Sequence, residues 1–194
     1  MVTNVARHWA ARVIEPIARF LDSLGLTPNS VTVLGFLLTA AVALVVGRGQ
    51  FRLAGVLLIV TLGMDAIDGT LARLTGATTR FGAFLDSTLD RWAEVLIYGA
   101  LGWFYLNSGQ QTAVLLAMAA MAASLMVSYT RARAEGVGLT CKDGLLTRFE
   151  RLVILIGGLI LQQTIAALWI ITVLASFTAL QRIWDTWRAD QVAR

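Results

Sequence analysis

Four aspartates fall close together in this chain, in the pattern Asp65-x2-Asp68-Gly69-x2-Ala72-Arg73, then Gly82-x3-Asp86-x3-Asp90. Asp65 and Asp68 are spaced i,i+3, and Asp86 and Asp90 i,i+4, so each pair shares one face of a helix. The stretch lies among apolar runs, where each aspartate costs on the order of 2.5–3.5 kcal/mol to insert in a bilayer, or on the order of 10 kcal/mol for four. Water access and bound cations are the remedies. Clustered carboxylates offer hard oxygen ligands, which suit Mg²⁺ or Mn²⁺. Four of them suffice for a two-metal site, whose usual chemistry is displacement at phosphorus. Gly69, Ala72 and Gly82 stand beside the acidic pairs and allow a helix backbone or a flat ligand to approach closely.

The elements that must position these residues are apolar helices. Six runs approach the roughly 20 residues needed to cross a bilayer, near 29–47, 52–74, 81–104, 111–134, 147–163 and 164–187. The short Leu74–Arg80 connection makes the second and third spans antiparallel neighbours, which brings both acidic pairs to similar depth. Gln162 and Gln163 alone separate the last two runs, which requires a tight turn. With a cytoplasmic N-terminus, thirteen basic residues fall on the cytoplasmic side: Arg7, Arg12, Arg19, Arg73, Arg80, Arg131, Arg133, Lys142, Arg148, Arg151, Arg182, Arg188 and Arg194. Only Arg48 and Arg52 fall opposite, and Arg91 lies within a span, a strong positive-inside bias. Both termini and the acidic cluster are therefore expected on the cytoplasmic face of the plasma membrane.

Residues 1–26 do not read as a secretory signal, because Arg7, Arg12 and Arg19 interrupt any apolar core. Val5, Trp9, Val13, Ile17 and Leu21, extended by Phe20 and Leu24, form a stripe that predicts an amphipathic helix in the membrane interface, kinked or restarted at Pro16. Leu26-Thr27-Pro28-Asn29 reads as a turn and cap into the first span. The breakers Gly136, Gly138, Asp143 and Gly144 predict a loop over Gly136–Thr147. The expected architecture is a single all-α membrane domain over 1–194, an interfacial helix over 1–26 and a six-helix bundle over about 29–187.

Composition agrees. The chain of 194 residues is 57% hydrophobic and only 14% charged, with a mean hydropathy of +0.72, far from a soluble domain's roughly 25% charged residues. The net charge of +4 is distributed between apolar runs, without the basic-aromatic patches of nucleic-acid binders. Membrane lipids and an anionic substrate are the expected partners, and no nucleic acid. One cysteine, Cys141, permits neither an intrachain disulfide nor a cysteine cluster, and the single histidine, His8, is remote from every other candidate ligand. A cation transporter would also use intramembrane aspartates. It leaves the Gly69-x2-Ala72-Arg73 pattern and the cytoplasmic arginines without a purpose.

Residues 65–90 match, without gap or substitution, Asp-x2-Asp-Gly-x2-Ala-Arg-x8-Gly-x3-Asp-x3-Asp, the signature of the CDP-alcohol phosphotransferase family. Gly25-Leu-Thr-Pro-Asn-Ser-Val-Thr32, Thr79-Arg-Phe-Gly82, Ser128-Tyr-Thr-Arg131-Ala-Arg133-Ala-Glu135, Arg148-Phe-Glu-Arg151 and Gln181-Arg182 further resemble its phosphatidylinositol-phosphate synthase branch. The resemblance implies six transmembrane helices with an interfacial N-terminal helix, as a homodimer. It implies two metals held by Asp65, Asp68, Asp86 and Asp90, with Asp90 also the general base. It implies that Asn29, Ser30, Val31, Thr32, Gly69, Ala72, Arg73, Thr79 and Gly82 hold CDP-diacylglycerol. It implies that Ser128, Arg131, Arg148, Arg151 and Arg182 receive the phosphate of an acceptor such as inositol phosphate. Arg131 stands where the branch usually has lysine, and Phe149 where it often has proline.

The residues themselves support this division. Arginine suits bidentate phosphate binding, and a base must take the acceptor hydroxyl proton, a task for the carboxylate furthest along its helix, Asp90. Glycerol 3-phosphate is an alternative acceptor that the same arginines would serve. Glu94, one turn past Asp90, is expected to pair with an arginine.

Overall fold

A computed structural model describes residues 14–139, 141 and 144–193. Much of the N-terminal stripe (Val5, Trp9, Val13), with His8, Arg7, Arg12, Lys142, Asp143 and Arg194, lies outside the described residues. The described residues form helices and connecting turns only. They are α1 (residues 14–23), α2 (Pro28–Gly47), α3 (Phe51–Leu74), α4 (Arg80–Asn107), α5 (Gln111–Gly136), α6 (Arg148–Ile160) and α7 (Thr164–Ala193). Each expected apolar run corresponds to one of the helices α2–α7, with boundaries moved by a few residues.

Four of these helices, α2, α3, α5 and Thr164–Gln191 of α7, are long and apolar enough to cross a membrane. Six such helices were expected. α4 is long, but its first fifteen residues carry Arg80, Asp86, Asp90, Arg91 and Glu94. α6 has 13 residues, which at 1.5 Å per residue reach only about 20 Å of a roughly 30 Å hydrocarbon core. Large apolar side chains such as Leu37, Leu44, Val60, Leu115, Val173 and Leu180 are exposed along the crossing helices, the outward face of a protein whose solvent is lipid. The chain is an all-α membrane protein.

The chain divides into two compact units. The first contains the described residues up to Val42 together with Leu57–Ala93. In it α1 buries Ala18, with Ile14 and Leu21 partly buried, against Val31, Met64, Ile67 and Leu71. Of the described stripe residues, Leu21 packs inward, whereas Ile17, Phe20 and Leu24 are exposed as one apolar face. The helix is continuous through Pro16. It ends where Gly25 adopts φ +75° and its N–H reaches the Asp22 carbonyl, while Leu26 N–H reaches that of Leu21. This is a Schellman termination, which needs a left-handed residue. Thr27 then accepts the Ser30 N–H at 3.2 Å and Pro28 opens α2, as the sequence cap predicted.

The second unit holds Ala43–Val56 and Glu94–Arg194. α5 runs along α7, and α6 packs on α7. The tight α6–α7 turn is present: Gln162 takes φ +57°, and Gln163 N–H bonds the Gly158 carbonyl at 2.7 Å. A Cβ on Gly158 would stand 2.4 Å from that of Ala167, and one on Gly55 would stand 2.6 Å from Ile160, so glycine sets both helix approaches. Ala123, Val127, Leu146, Ala175 and Ala179 make the apolar core.

Candidate active site

The first unit gathers most of the signature residues around one cleft of about 220 Å³. α3 contributes Asp68, Gly69, Ala72 and Arg73, α4 contributes Gly82 and Asp86, and Asn29, Thr32 and Thr79 complete the sequence-predicted lining. Pro28, which the sequence marks only as a helix start, lines it too, as do Ala77, Thr78 and Ala83, whose small side chains near a turn carry no chemical signal of their own. Thr79 caps α4 by accepting the Gly82 N–H at 2.9 Å. The first turns of α2 and α4 therefore both border the cleft, and unbonded N–H groups at helix starts favour an anion. A Cβ on Gly82 would stand 3.0 Å from Asn29 Oδ1 and 3.0 Å from Thr79 Oγ1. The missing side chain is what lets the two helix starts come so close.

Asp68 is 7% exposed and accepts a hydrogen bond from Thr32 Oγ1 at 2.8 Å. The same hydroxyl lies 3.0 Å from the Pro28 carbonyl, so its one proton serves one acceptor at a time. Arg73 is exposed and bonds Thr70 through Nη2 at 3.1 Å. Two predicted donor-site residues point elsewhere. Ser30 turns back to the Thr27 carbonyl at 2.7 Å. Val31, 1% exposed, belongs to the apolar core under α1. Each shares the first turn of α2 with Asn29, but the helical rotation carries its side chain off the cleft.

Asp65 and Asp90 do not line the cleft, yet the charge of Asp65, like that of Asp86, acts on Asp68. Asp90 keeps 14% of its side chain exposed, with Arg91 Nη1 at 3.8 Å. Among the described residues no three acidic, histidine or cysteine side chains form a ready-made metal cage. The donor set fits a divalent cation by its chemistry: like-charged oxygen ligands from α3 and α4, acting on one another, are what a hard cation relieves.

The second unit holds the arginines. Arg151, 1% exposed, donates through Nη2 to Glu94 Oε1 at 2.7 Å and through Nη1 to the Leu146 carbonyl at 3.4 Å. The expected arginine partner of Glu94 is thus Arg151. Arg182, 3% exposed, donates to the Val127 carbonyl, and its guanidinium lies against Gly144, where a Cβ would stand 3.0 Å from Nε and Nη2. The charges of Arg131 and Arg151 both act on Arg182. Arg131 is exposed and pairs with Glu135 at 2.9 Å. Ser128 and Arg148 are half-buried. Arg131 and Arg151 thus both add positive charge around the buried Arg182, and guanidinium groups suit an anion.

A family model described as CDP-alcohol phosphatidyltransferase matches residues 25–181. The chain belongs to this family. It is 39% identical to phosphatidylinositol phosphate synthase of Streptomyces avermitilis over 94% of this chain and 81% of that protein. The crystal structure of Mycobacterium tuberculosis phosphatidylinositol phosphate synthase with CDP-DAG bound aligns with a TM-score of 0.87 and 32% identity, covering 91% of this chain and 94% of that one. The same mycobacterial enzyme in complex with manganese and citrate aligns at 0.86 and 31%, covering 90% and 89%. This phosphatidyltransferase therefore carries its family signature in the first unit, on the cleft of α2, α3 and α4, and its arginine centre in the second. For Glu94 the sequence indicates an arginine partner without saying which. Its one signal was an acid one helical turn past Asp90, where apolar residues begin to dominate α4.

Proposed function

We propose that the chain transfers the phosphatidyl group of CDP-diacylglycerol to a hydroxyl of a phosphorylated polyol, inositol phosphate, and releases CMP. The observation that carries this reading is the signature cleft, where two helix starts, Asn29, Thr79 and Arg73 meet Asp68 and Asp86. A diphosphate is the ligand class such a cleft suits. The names of the relatives support inositol phosphate as acceptor.

In this reading Asn29, Thr32, Gly69, Ala72, Arg73, Thr79 and Gly82 bind the CDP moiety, with the N–H groups of α2 and α4 offsetting diphosphate charge. Asp65, Asp68, Asp86 and Asp90 would hold two divalent cations, Mg²⁺ or Mn²⁺, which supply charge compensation on the diphosphate and on the departing phosphate. Asp90 takes the proton of the acceptor hydroxyl. The oxygen so freed forms a bond to the phosphorus attached to the lipid, and the bond from that phosphorus to the CMP oxygen breaks. Ser128, Arg131, Arg148, Arg151 and Arg182 bind the acceptor phosphate.

The finer architecture belongs to the same proposal. α4, and the short α6 together with its flanking turns, cross the membrane with the other four helices, and α1 lies in the interface on its Ile17, Phe20 and Leu24 face. The termini and site face the cytoplasm, and the enzyme is a homodimer in the plasma membrane. The basic residues support the orientation.

The test is CMP release by the detergent-purified protein with CDP-diacylglycerol and, separately, inositol phosphate, glycerol 3-phosphate and free inositol, with Mg²⁺ and after chelation. Metal-dependent release with inositol phosphate as the best acceptor is expected. A higher kcat/KM for glycerol 3-phosphate would assign the acceptor to that alcohol instead. Absence of CMP release with every acceptor would overturn the reading.

A further inference from the structure

Arg151 is an unusual buried cation. Its guanidinium has five N–H groups, and in the structure Nη2 meets Glu94 Oε1 at 2.7 Å while Nη1 meets the Leu146 carbonyl at a long 3.4 Å. Arg151 Nε and Glu94 Oε2 are both buried and have no hydrogen-bond partner among the described residues. Buried polar atoms are nearly always paired. An ion pair that served only to hold helices together would be expected to use these atoms as well. The surroundings are otherwise well anchored. Leu146 donates its own N–H to Thr178 Oγ1 at 3.2 Å, so the carbonyl that Arg151 uses is held by α7. Glu94 holds the guanidinium at Nη2 from α4. The charge of Arg151 also acts on Arg182.

We infer that Glu94 is a positioning residue. It fixes the orientation of the Arg151 guanidinium within the second unit, so that the unfilled Nε–H is kept for the phosphate of the alcohol substrate. The inference rests on the reading that the arginines bind a phosphorylated acceptor. Arginine carries considerable rotamer freedom, and orienting it before the ligand arrives removes an ordering cost from binding. A carboxylate also holds a buried guanidinium in place while no anion is bound. Glu94 acts through Arg151; it does not touch the substrate.

The experiment measures KM for acceptor and for CDP-diacylglycerol, with kcat, in Glu94→Ala, Glu94→Gln and Glu94→Asp, using the phosphorylated alcohol that the wild type turns over best. Glu94→Ala is expected to raise the acceptor KM about 10- to 100-fold while the CDP-diacylglycerol KM stays within about threefold. Glu94→Gln keeps an oxygen at the same reach and recovers most of that loss. Should the alanine variant not fold, the two conservative variants decide. Glu94→Asp keeps the charge but withdraws the oxygen by one methylene, and it should raise the acceptor KM more than Glu94→Gln does. Equal shifts in both substrates' KM, a fall in kcat alone, or a milder effect of Glu94→Asp than of Glu94→Gln would each overturn the inference. The wild type's KM for the same alcohol with and without its phosphate is the control. Equal values there overturn the arginine-pocket reading and this inference with it, whereas a normal wild type with unresponsive variants sinks the role of Glu94 alone.

Discussion

Gly82 and Gly69 are both fixed positions of the signature, yet the structure predicts opposite responses of the unliganded protein to alanine at each. At Gly82 the new Cβ would meet Asn29 Oδ1 and Thr79 Oγ1, each at 3.0 Å. Ordinary carbon–oxygen contact needs about 0.4 Å more, starting near 3.4 Å. Thr79 Oγ1 cannot give way freely, because it already caps α4 through the Gly82 N–H at 2.9 Å. Losing a helix cap costs about 1 kcal/mol, and overpacking typically adds about 1–3 kcal/mol. Even after the gain in helix propensity, Gly82→Ala is expected to cost about 1–3 kcal/mol. For a chain of this size that lowers Tm by roughly 2–12 °C. At Gly69 the new Cβ would meet only Arg73 Nη1 at 3.6 Å, ordinary contact, while alanine gains up to about 1 kcal/mol of helix propensity. Gly69→Ala should therefore leave the ligand-free Tm unchanged or raise it by a few degrees. The assay is thermal unfolding of the detergent-solubilised protein at one fixed scan rate, without substrate or metal. Equal Tm changes for the two variants would refute the steric reasoning. Both glycines line the cleft, so both variants should raise the KM for CDP-diacylglycerol.

Other outcomes follow from the same geometry. Asp65→Asn, Asp68→Asn and Asp86→Asn should each nearly abolish CMP release at saturating Mg²⁺, and wild-type-like turnover in any of them would remove the metal-site reading. Arg131→Ala should raise the acceptor KM about tenfold with little change in Tm, since its exposed pair with Glu135 is worth only about 0.3–0.5 kcal/mol. Arg151→Ala should lower Tm markedly as well, because it strands Glu94, and breaking a buried pair costs about 3–5 kcal/mol; an unchanged Tm would show that the pair is not closed in solution. With Cys141 replaced, an impermeant thiol reagent added outside intact cells should label Ser108→Cys and spare Ser23→Cys, and the reverse pattern would invert the topology.

Much of the candidate site was legible because its chemistry is local. An acidic pair on one helix face needs only the helical repeat, so Asp65, Asp68, Asp86 and Asp90 could be assigned to two faces from spacing alone. The Thr27–Pro28 start of α2, the Gln162 turn and the length of the α5–α6 loop are equally local. The N-terminal stripe was less so. Ile17 and Leu21 look alike in sequence, but only the neighbours on α2 and α3 select Leu21 for the interior and leave Ile17 exposed.

Composition, periodicity and motif spacing by themselves determined that this is an all-helical membrane protein, which residues carry its carboxylates and arginines, and how each acidic pair is presented. These follow from properties of single segments, namely apolar length, helical repeat and capping chemistry. Only the tertiary structure decided what meets what. It turned Val31 and Ser30 away from the cleft that Asn29 and Thr32 line. It made Gly82 a point of contact between two helix starts and Gly69 an open one. It joined Arg151 to Glu94 across 57 residues, leaving one buried atom of each unfilled. The physical reason is the same in each case: burial and hydrogen-bond satisfaction are set by side chains arriving from distant segments, and no local pattern records which ones arrive.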